Sequence, residues 1–101
     1  MAARHTPNLN RAVPERADLE ARLREAGGGA PRWWGNGGGE TYAWHDHGYR
    51  KVLFCRSGSI TFHTRDGDLP LGPGDRLELD PGTEHAATVG PDGCECVEAS
   101  A

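Results

Sequence analysis

After residue 29 the chain alternates hydrophobic and polar side chains with a period of two, and that period predicts strands. Arg76-Leu77-Glu78-Leu79-Asp80 is the cleanest stretch, with Leu77 and Leu79 expected to point inward. Arg32-Trp33-Trp34 reads as a short strand and Thr41–His47 as another. Val52–Ser57 and Ser59–Thr64 read as two strands meeting at Gly58, and His85–Val89 and Glu95–Ala99 as the last two. Asp66-Gly67 and Asp92-Gly93 supply turns between them. Strands spaced roughly 8–12 residues apart with Gly, Pro and Asp punctuation indicate an all-β sandwich or barrel.

The first 27 residues follow a different pattern. Pro14–Ala26 reads as a helix, with Pro14 suited to the first turn and Gly27-Gly28-Gly29 ending it. Its apolar positions (Ala12, Leu19, Leu23, Ala26) form only a narrow stripe, so it is expected to lie on the barrel or against a second subunit. Residues 1–13 hold little apolar content and are expected to form an arm or stay disordered. The predicted organisation is an arm over 1–13, a helix over 14–27 and one β-domain over 28–101.

Composition narrows the partners. At 101 residues the chain supports one core and no more. Eleven basic against fifteen acidic residues give a net charge of −4, which argues against nucleic acid or an anionic membrane as partner. The first residues lack the apolar run of a signal peptide, and no stretch has the length of a membrane span, so a cytoplasmic protein is expected. Three cysteines, an odd number, fit a reducing compartment. Cys94 and Cys96 share a strand face and read as small buried side chains, and Cys55 shares the face of Leu53 and Lys51.

The histidines carry the chemistry. His45 and His47, two apart on one predicted strand, must point to the same side, about 6–7 Å apart along the chain. His85 follows the turn Asp80-Pro81-Gly82-Thr83-Glu84 and opens another strand. Neutral imidazoles suit transition metals, and three of them leave coordination positions open for water or substrate. His5 falls in the arm, and His63 is out of phase with Ile60 and Phe62 and is expected to face solvent. Trp44 alternates against the two histidines and so faces away from them, while Tyr49 lies in the turn after His47, near the pocket mouth. The glycine-rich stretch 35–39 has no lysine-threonine step or helix after it, so it reads as a rim loop and not a phosphate cradle.

From His45 to Gly58 and from Gly74 to His85 the chain resembles the two cupin motifs, H-x-H-x3-E-x6-G and G-x5-P-x-G-x2-H-x3-N. His45, His47, Gly58, Gly74, Gly82 and His85 all fall in register, and the segment between the motifs has 15 residues, as in small microbial cupins. The resemblance covers roughly residues 40–99. It implies a single cupin-type jelly-roll β-barrel with a short N-terminal helix. It also implies a divalent transition metal (zinc, iron, manganese, nickel or copper) on His45, His47 and His85. Three positions depart from the pattern: the motif glutamate, normally the fourth ligand, is Lys51, the proline is Asp80 and the asparagine is Val89. An ammonium cannot ligate a cation, so the resemblance implies a three-histidine site with an open coordination sphere.

Two functions follow from these residues. One is a metal-dependent enzyme on a small polar or anionic substrate, with Lys51 as the candidate catalytic residue that anchors an anion or moves a proton. The other is a non-catalytic ligand-binding or regulatory cupin. Lys51 has a third option, a side chain swung outward to Glu84, Asp46 or Glu40. Homodimerisation is expected, because small cupins commonly pair and because Trp33–Trp44 and the helix offer apolar surface.

Overall fold

The computed structural model describes residues 2–10 and 12–101; Met1 and Arg11, both in the expected arm, lie outside the described residues. The described residues form strands β1 (Ala3–Thr6), β2 (Arg32–Asn36), β3 (Thr41–His45), β4 (Lys51–Thr64), β5 (Gly67–Leu71), β6 (Arg76–Leu79) and β7 (His85–Ser100), with one helix, α1 (Arg16–Glu25). All pairings are antiparallel.

Two long strands organise the barrel. β4 and β7 pair from Lys51↔Ser100 to Thr64↔His85, with register shifts between Cys55 and Ser57 and between Gly58 and Ile60. At that bend both strands change outer neighbours. Lys51–Phe54 pair with β6, which pairs with β1, and Cys94–Glu98 pair with β2. Beyond it, Ile60–Thr64 pair with β5, while β3 joins the first half of β7. The result is two half-sheets folded over one core, in which Leu53, Leu77, Leu79 and Cys96 of one half meet Ile60, Phe62, Ala87 and Val89 of the other. Leu77 and Leu79 point inward as the alternation predicts, and Cys55 and Cys96 are core residues.

The bend corrects the strand boundaries. The segments expected to meet at Gly58 are one strand, and the expected Asp92-Gly93 turn lies inside β7. Glycine there lets the ladder kink without breaking. Gly58 and Gly93 take φ of +70° and +80°, which favours residues without Cβ, and a Cβ on Gly58 would lie 2.0 Å from the Gly93 carbonyl oxygen.

The helix is shorter than the 14–27 expected. It starts after Glu15, whose carbonyl accepts from the Asp18 and Leu19 N–H groups, and Pro14 precedes it. Gly27 (φ +84°) closes it, with Gly28 N donating to Leu23 O at 2.9 Å and Gly27 N to Arg24 O at 3.0 Å, a Schellman arrangement. Leu19 and Leu23 are fully buried against Val52, Phe54, Val97 and Ala99, the outward-facing residues of β4 and β7. Period two thus gives one strand pair two apolar faces, one for the barrel and one for the helix.

The arm is also corrected in part. Ala3–Thr6 is an edge strand on β6, despite its few apolar residues, because polar contacts hold it. Arg4 donates to Glu78 at 2.9 Å and to Asp80 at 3.1 Å, His5 Nε2 lies 3.1 Å from Asp75 Oδ2, and Asn8 N donates to Asp75 Oδ1 at 2.6 Å. Asp80, the residue in place of the motif proline, therefore has a structural partner.

Gly58→Ala is expected to destabilise the fold by at least about 3 kcal/mol, since it adds a backbone clash to the positive-φ strain. Gly39→Ala has a φ of +79° but open space around it and should cost only about 1 kcal/mol. Chemical denaturation of both variants checks the difference.

Candidate metal centre

The three histidines reach one point from two adjacent strands and a bend. His45, the last residue of β3, is the Cα partner of His85, the first of β7, and their ring centroids lie 4.2 Å apart. β3 ends at His45, so His47 lies just beyond the strand in which it was expected, yet its ring still sits 4.9 Å from that of His45 and 5.3 Å from that of His85. The Pro81-Gly82 turn fixes this approach. Gly82 has φ +78°, Thr83 N donates to Asp80 O at 3.2 Å, and Gly82 N donates to His47 O at 2.8 Å, which ties the turn before His85 to the His47 backbone.

Hydrogen bonds set which nitrogens are free. His45 Nδ1 lies 2.7 Å from Ala43 O and His85 Nδ1 lies 2.9 Å from Thr83 O. A carbonyl only accepts, so both Nδ1 atoms carry the proton and both Nε2 atoms present a lone pair. The Nε2 atoms of His47 and His85 are buried without a hydrogen-bond partner among the described residues, a costly state for polar atoms unless something ligates them. One ligand atom from each of the three histidines lies within 4.8 Å of the others. Two nitrogens at about 2.1 Å from one ion can be at most about 4.2 Å apart, so sub-ångström side-chain adjustments suffice to close the set. The donor set and its unpartnered lone pairs fit a transition metal.

Burial holds the His47 pKa below the ordinary histidine value, and the Lys51 charge adds to the effect. Burial likewise lowers that of His85, against a raising contribution from its bond to Thr83. The neutral, ligating form is favoured in both.

The rings line a cavity of about 370 Å³ between the half-sheets, walled by Trp34, Tyr42 and Phe62 and closed by Lys51 and Glu98. Lys51 points inward, on the face it shares with Leu53 and Cys55, and is only 7% exposed. The surface partners considered for it are replaced by Glu98, whose Oε2 lies 3.2 Å from Lys51 Nζ. The other carboxylate oxygen accepts from Trp34 Nε1 at 2.8 Å, and Arg32 Nη2 is 3.5 Å from Oε2. The sequence reading missed Glu98, Trp34 and Tyr42. Glu98 had a signal, since it stands two residues from Cys96 and so shares its inward face.

The remaining candidates fall where alternation puts them, with some differences. Tyr49 stacks on His47 at 5.0 Å. Trp44 faces away from the histidines and packs neither between the sheets nor under the helix; the Arg65 guanidinium sits 3.8 Å over its ring. His63 is half-buried on the outer face, bonded to Asp68 at 2.7 Å and Thr88 at 2.9 Å. His5 serves the Asp75 anchor described above.

No protein-family model matches the sequence, and no curated protein matches it. Solved structures do. A cupin-2 domain containing protein from Shewanella frigidimarina NCIMB 400 superposes with a TM-score of 0.60 at 19% identity, over 70% of this chain and 69% of that one. A conserved protein with a double-stranded β-helix domain from Klebsiella pneumoniae gives a TM-score of 0.63 at 26% identity, over 70% and 64%. A chain from the structures of the DMSP lyases RdDddP and RnDddQII gives 0.60 at 30% identity, over 67% of this chain and 34% of its own length. The barrel, with its one short helix, has the fold of the small cupin proteins on which it superposes. No helix among the described residues is long and apolar enough to cross a membrane.

The histidine shifts predict a pH dependence. In the unfolded chain these imidazoles protonate near the ordinary histidine value of about 6.5, and in the fold they resist protonation. Below about pH 6.5 the unfolded state therefore binds more protons, so metal-free protein should lose stability as pH falls from there. Thermal melts from about pH 7.5 to pH 5 should show this decline, and His85→Met should flatten it.

Proposed function

We propose that this protein is a metal-dependent enzyme acting on a small polar or anionic molecule, with one divalent transition ion held by His45, His47 and His85. The observation that carries this reading is the convergence of three histidine ligand atoms, with two buried Nε2 atoms that have no hydrogen-bond partner among the described residues. When bound, such an ion polarises a coordinated oxygen or lowers the pKa of bound water. Zinc, iron, manganese, nickel and copper are the candidates.

The chain's own residues supply the rest. A cavity of about 370 Å³ with aromatic walls suits a small molecule. Lys51 has three donors, and Glu98 is its ion-pair partner among the described residues, so donors remain for a substrate carboxylate or hydroxyl. In this reading Lys51 binds and orients the substrate's negative end beside the metal and is the candidate group for moving a proton. The DMSP lyase relatives, which are enzymes, support catalysis over binding alone.

The proposal includes a cytoplasmic homodimer. Three free thiols fit a reducing compartment. Trp33 and α1, expected to seek a partner, bury against each other. Surface for a second copy comes instead from Leu9, Val13, Tyr42, Trp44 and Tyr49. Light scattering at tens of micromolar should report twice the chain mass, and a clean monomer would remove this part.

Protein purified without an affinity tag should carry about one transition ion per chain. His45→Ala and His85→Ala should each weaken metal binding by at least about 100-fold and abolish turnover in a panel of small hydroxy and keto acids. Lys51→Met should keep the metal and lower kcat/KM by about 100-fold. Stoichiometric metal without turnover would make the protein a ligand-binding or regulatory cupin.

A further inference from the structure

The cavity holds a charge problem that the metal site alone does not solve. Where the cupin pattern has a carboxylate, this chain has an ammonium, and at 7% exposure water does little to screen it from an ion in the same cavity. A cation next to a divalent site repels it, and a buried ammonium without a partner also weakens the fold.

Glu98 answers both effects. It too is only 7% exposed, and its position on β7 opposite Leu53 puts it one inward-facing step along the ladder from Lys51. Its two oxygens are divided. Oε1 is fixed by the Trp34 indole at 2.8 Å, and Oε2 faces Lys51 Nζ at 3.2 Å. Arg32, whose side chain is 76% exposed at the mouth, adds a weaker contact at 3.5 Å. Trp34, Lys51 and Glu98 belong to the half-sheet across the cavity from His45 and His85. The indole therefore holds the carboxylate, and the carboxylate holds the ammonium, on the wall facing the histidines.

We propose that Glu98 is a positioning residue that makes Lys51 compatible with a metal: it cancels the ammonium charge and tethers it to the half-sheet that carries Trp34. This rests on the metal-centre reading above. It predicts that the two residues act as a unit, so that removing Glu98 harms the site only while Lys51 is present.

The test is a double-mutant cycle on the full chain, with wild type, E98Q, K51M and K51M/E98Q, read by Co²⁺ titration and by melts of metal-free protein. E98Q alone should weaken Co²⁺ binding by about tenfold or more, whereas in the K51M background it should change affinity by less than about threefold. In the melts, E98Q should lower Tm by several degrees more in the wild-type background than in K51M. Equal effects in both backgrounds, or no effect of E98Q, would overturn the proposal. If wild type binds no Co²⁺, the metal centre itself falls, and the melts alone decide whether Glu98 neutralises Lys51. Should E98Q fail to fold while K51M/E98Q folds, the required coupling is present; if neither folds, Glu98 has a role independent of Lys51 and the proposal is wrong.

Discussion

The β4–β7 ladder is the element on which everything else in this protein depends. Because both strands run through the bend at Gly58 and Gly93, one continuous set of hydrogen bonds serves two half-sheets. Its inner face carries Lys51, Cys96, Glu98 and His85, and its outer face carries the apolar floor for α1. A register slip of one residue would exchange these faces, sending the ion pair outward and Val52 and Phe54 into the cavity. The kink therefore matters chemically as well as structurally. It folds the His85 end of β7 over the Glu98 end of the same strand, which is how residues 13 apart in sequence come to line one cavity.

Within that cavity the polar groups are sorted by wall. Neutral imidazoles, with their Nδ1 protons committed to the Ala43 and Thr83 carbonyls, occupy one side. A compensated ion pair occupies the other. Low exposure makes this sorting consequential, since charges in a poorly solvated pocket act on each other at longer range than on the surface. The shifted histidines reflect it: Lys51 is among the groups that lower His47, while Glu98 works in the opposite direction. An ammonium with a fixed partner perturbs a cation site far less than one left alone.

How much of this was legible in the sequence follows from the range of each interaction. His45, His47 and His85 could be chosen because their spacing relative to glycine turns is local, and Lys51 could be placed on the face of Leu53 and Cys55, although the alternation left open whether its long side chain stays inside. Glu98 could not be assigned to Lys51, although its inward face was readable. Their pairing spans 47 positions and depends on a register that two bulges reset. The same bulges hid the continuity of β4 and β7, since Gly58 and Asp92-Gly93 look like chain reversals when read locally. β1 escaped for a different reason. It is held through Arg4, His5 and Asn8 to Glu78, Asp80 and Asp75, and hydrophobic periodicity is blind to a strand docked by charge and hydrogen bonds.

The helix, which carries no chemistry of its own, still bears on the cavity. Trp33 and Trp34 are neighbours on β2 and therefore point to opposite faces. Trp33 lies on the outer side, where Arg16 sits 4.5 Å over its ring and Glu20 accepts its indole N–H at 2.8 Å. Trp34 points inward and donates to Glu98. Among the described residues β2 pairs with β7 alone, so its placement on the second edge comes from side chains and not from a further ladder. The contacts of α1 with Trp33 thus hold from outside the strand that orients Glu98 from inside. The chain's short helix and its displaced carboxylate thus meet on opposite faces of a single edge strand.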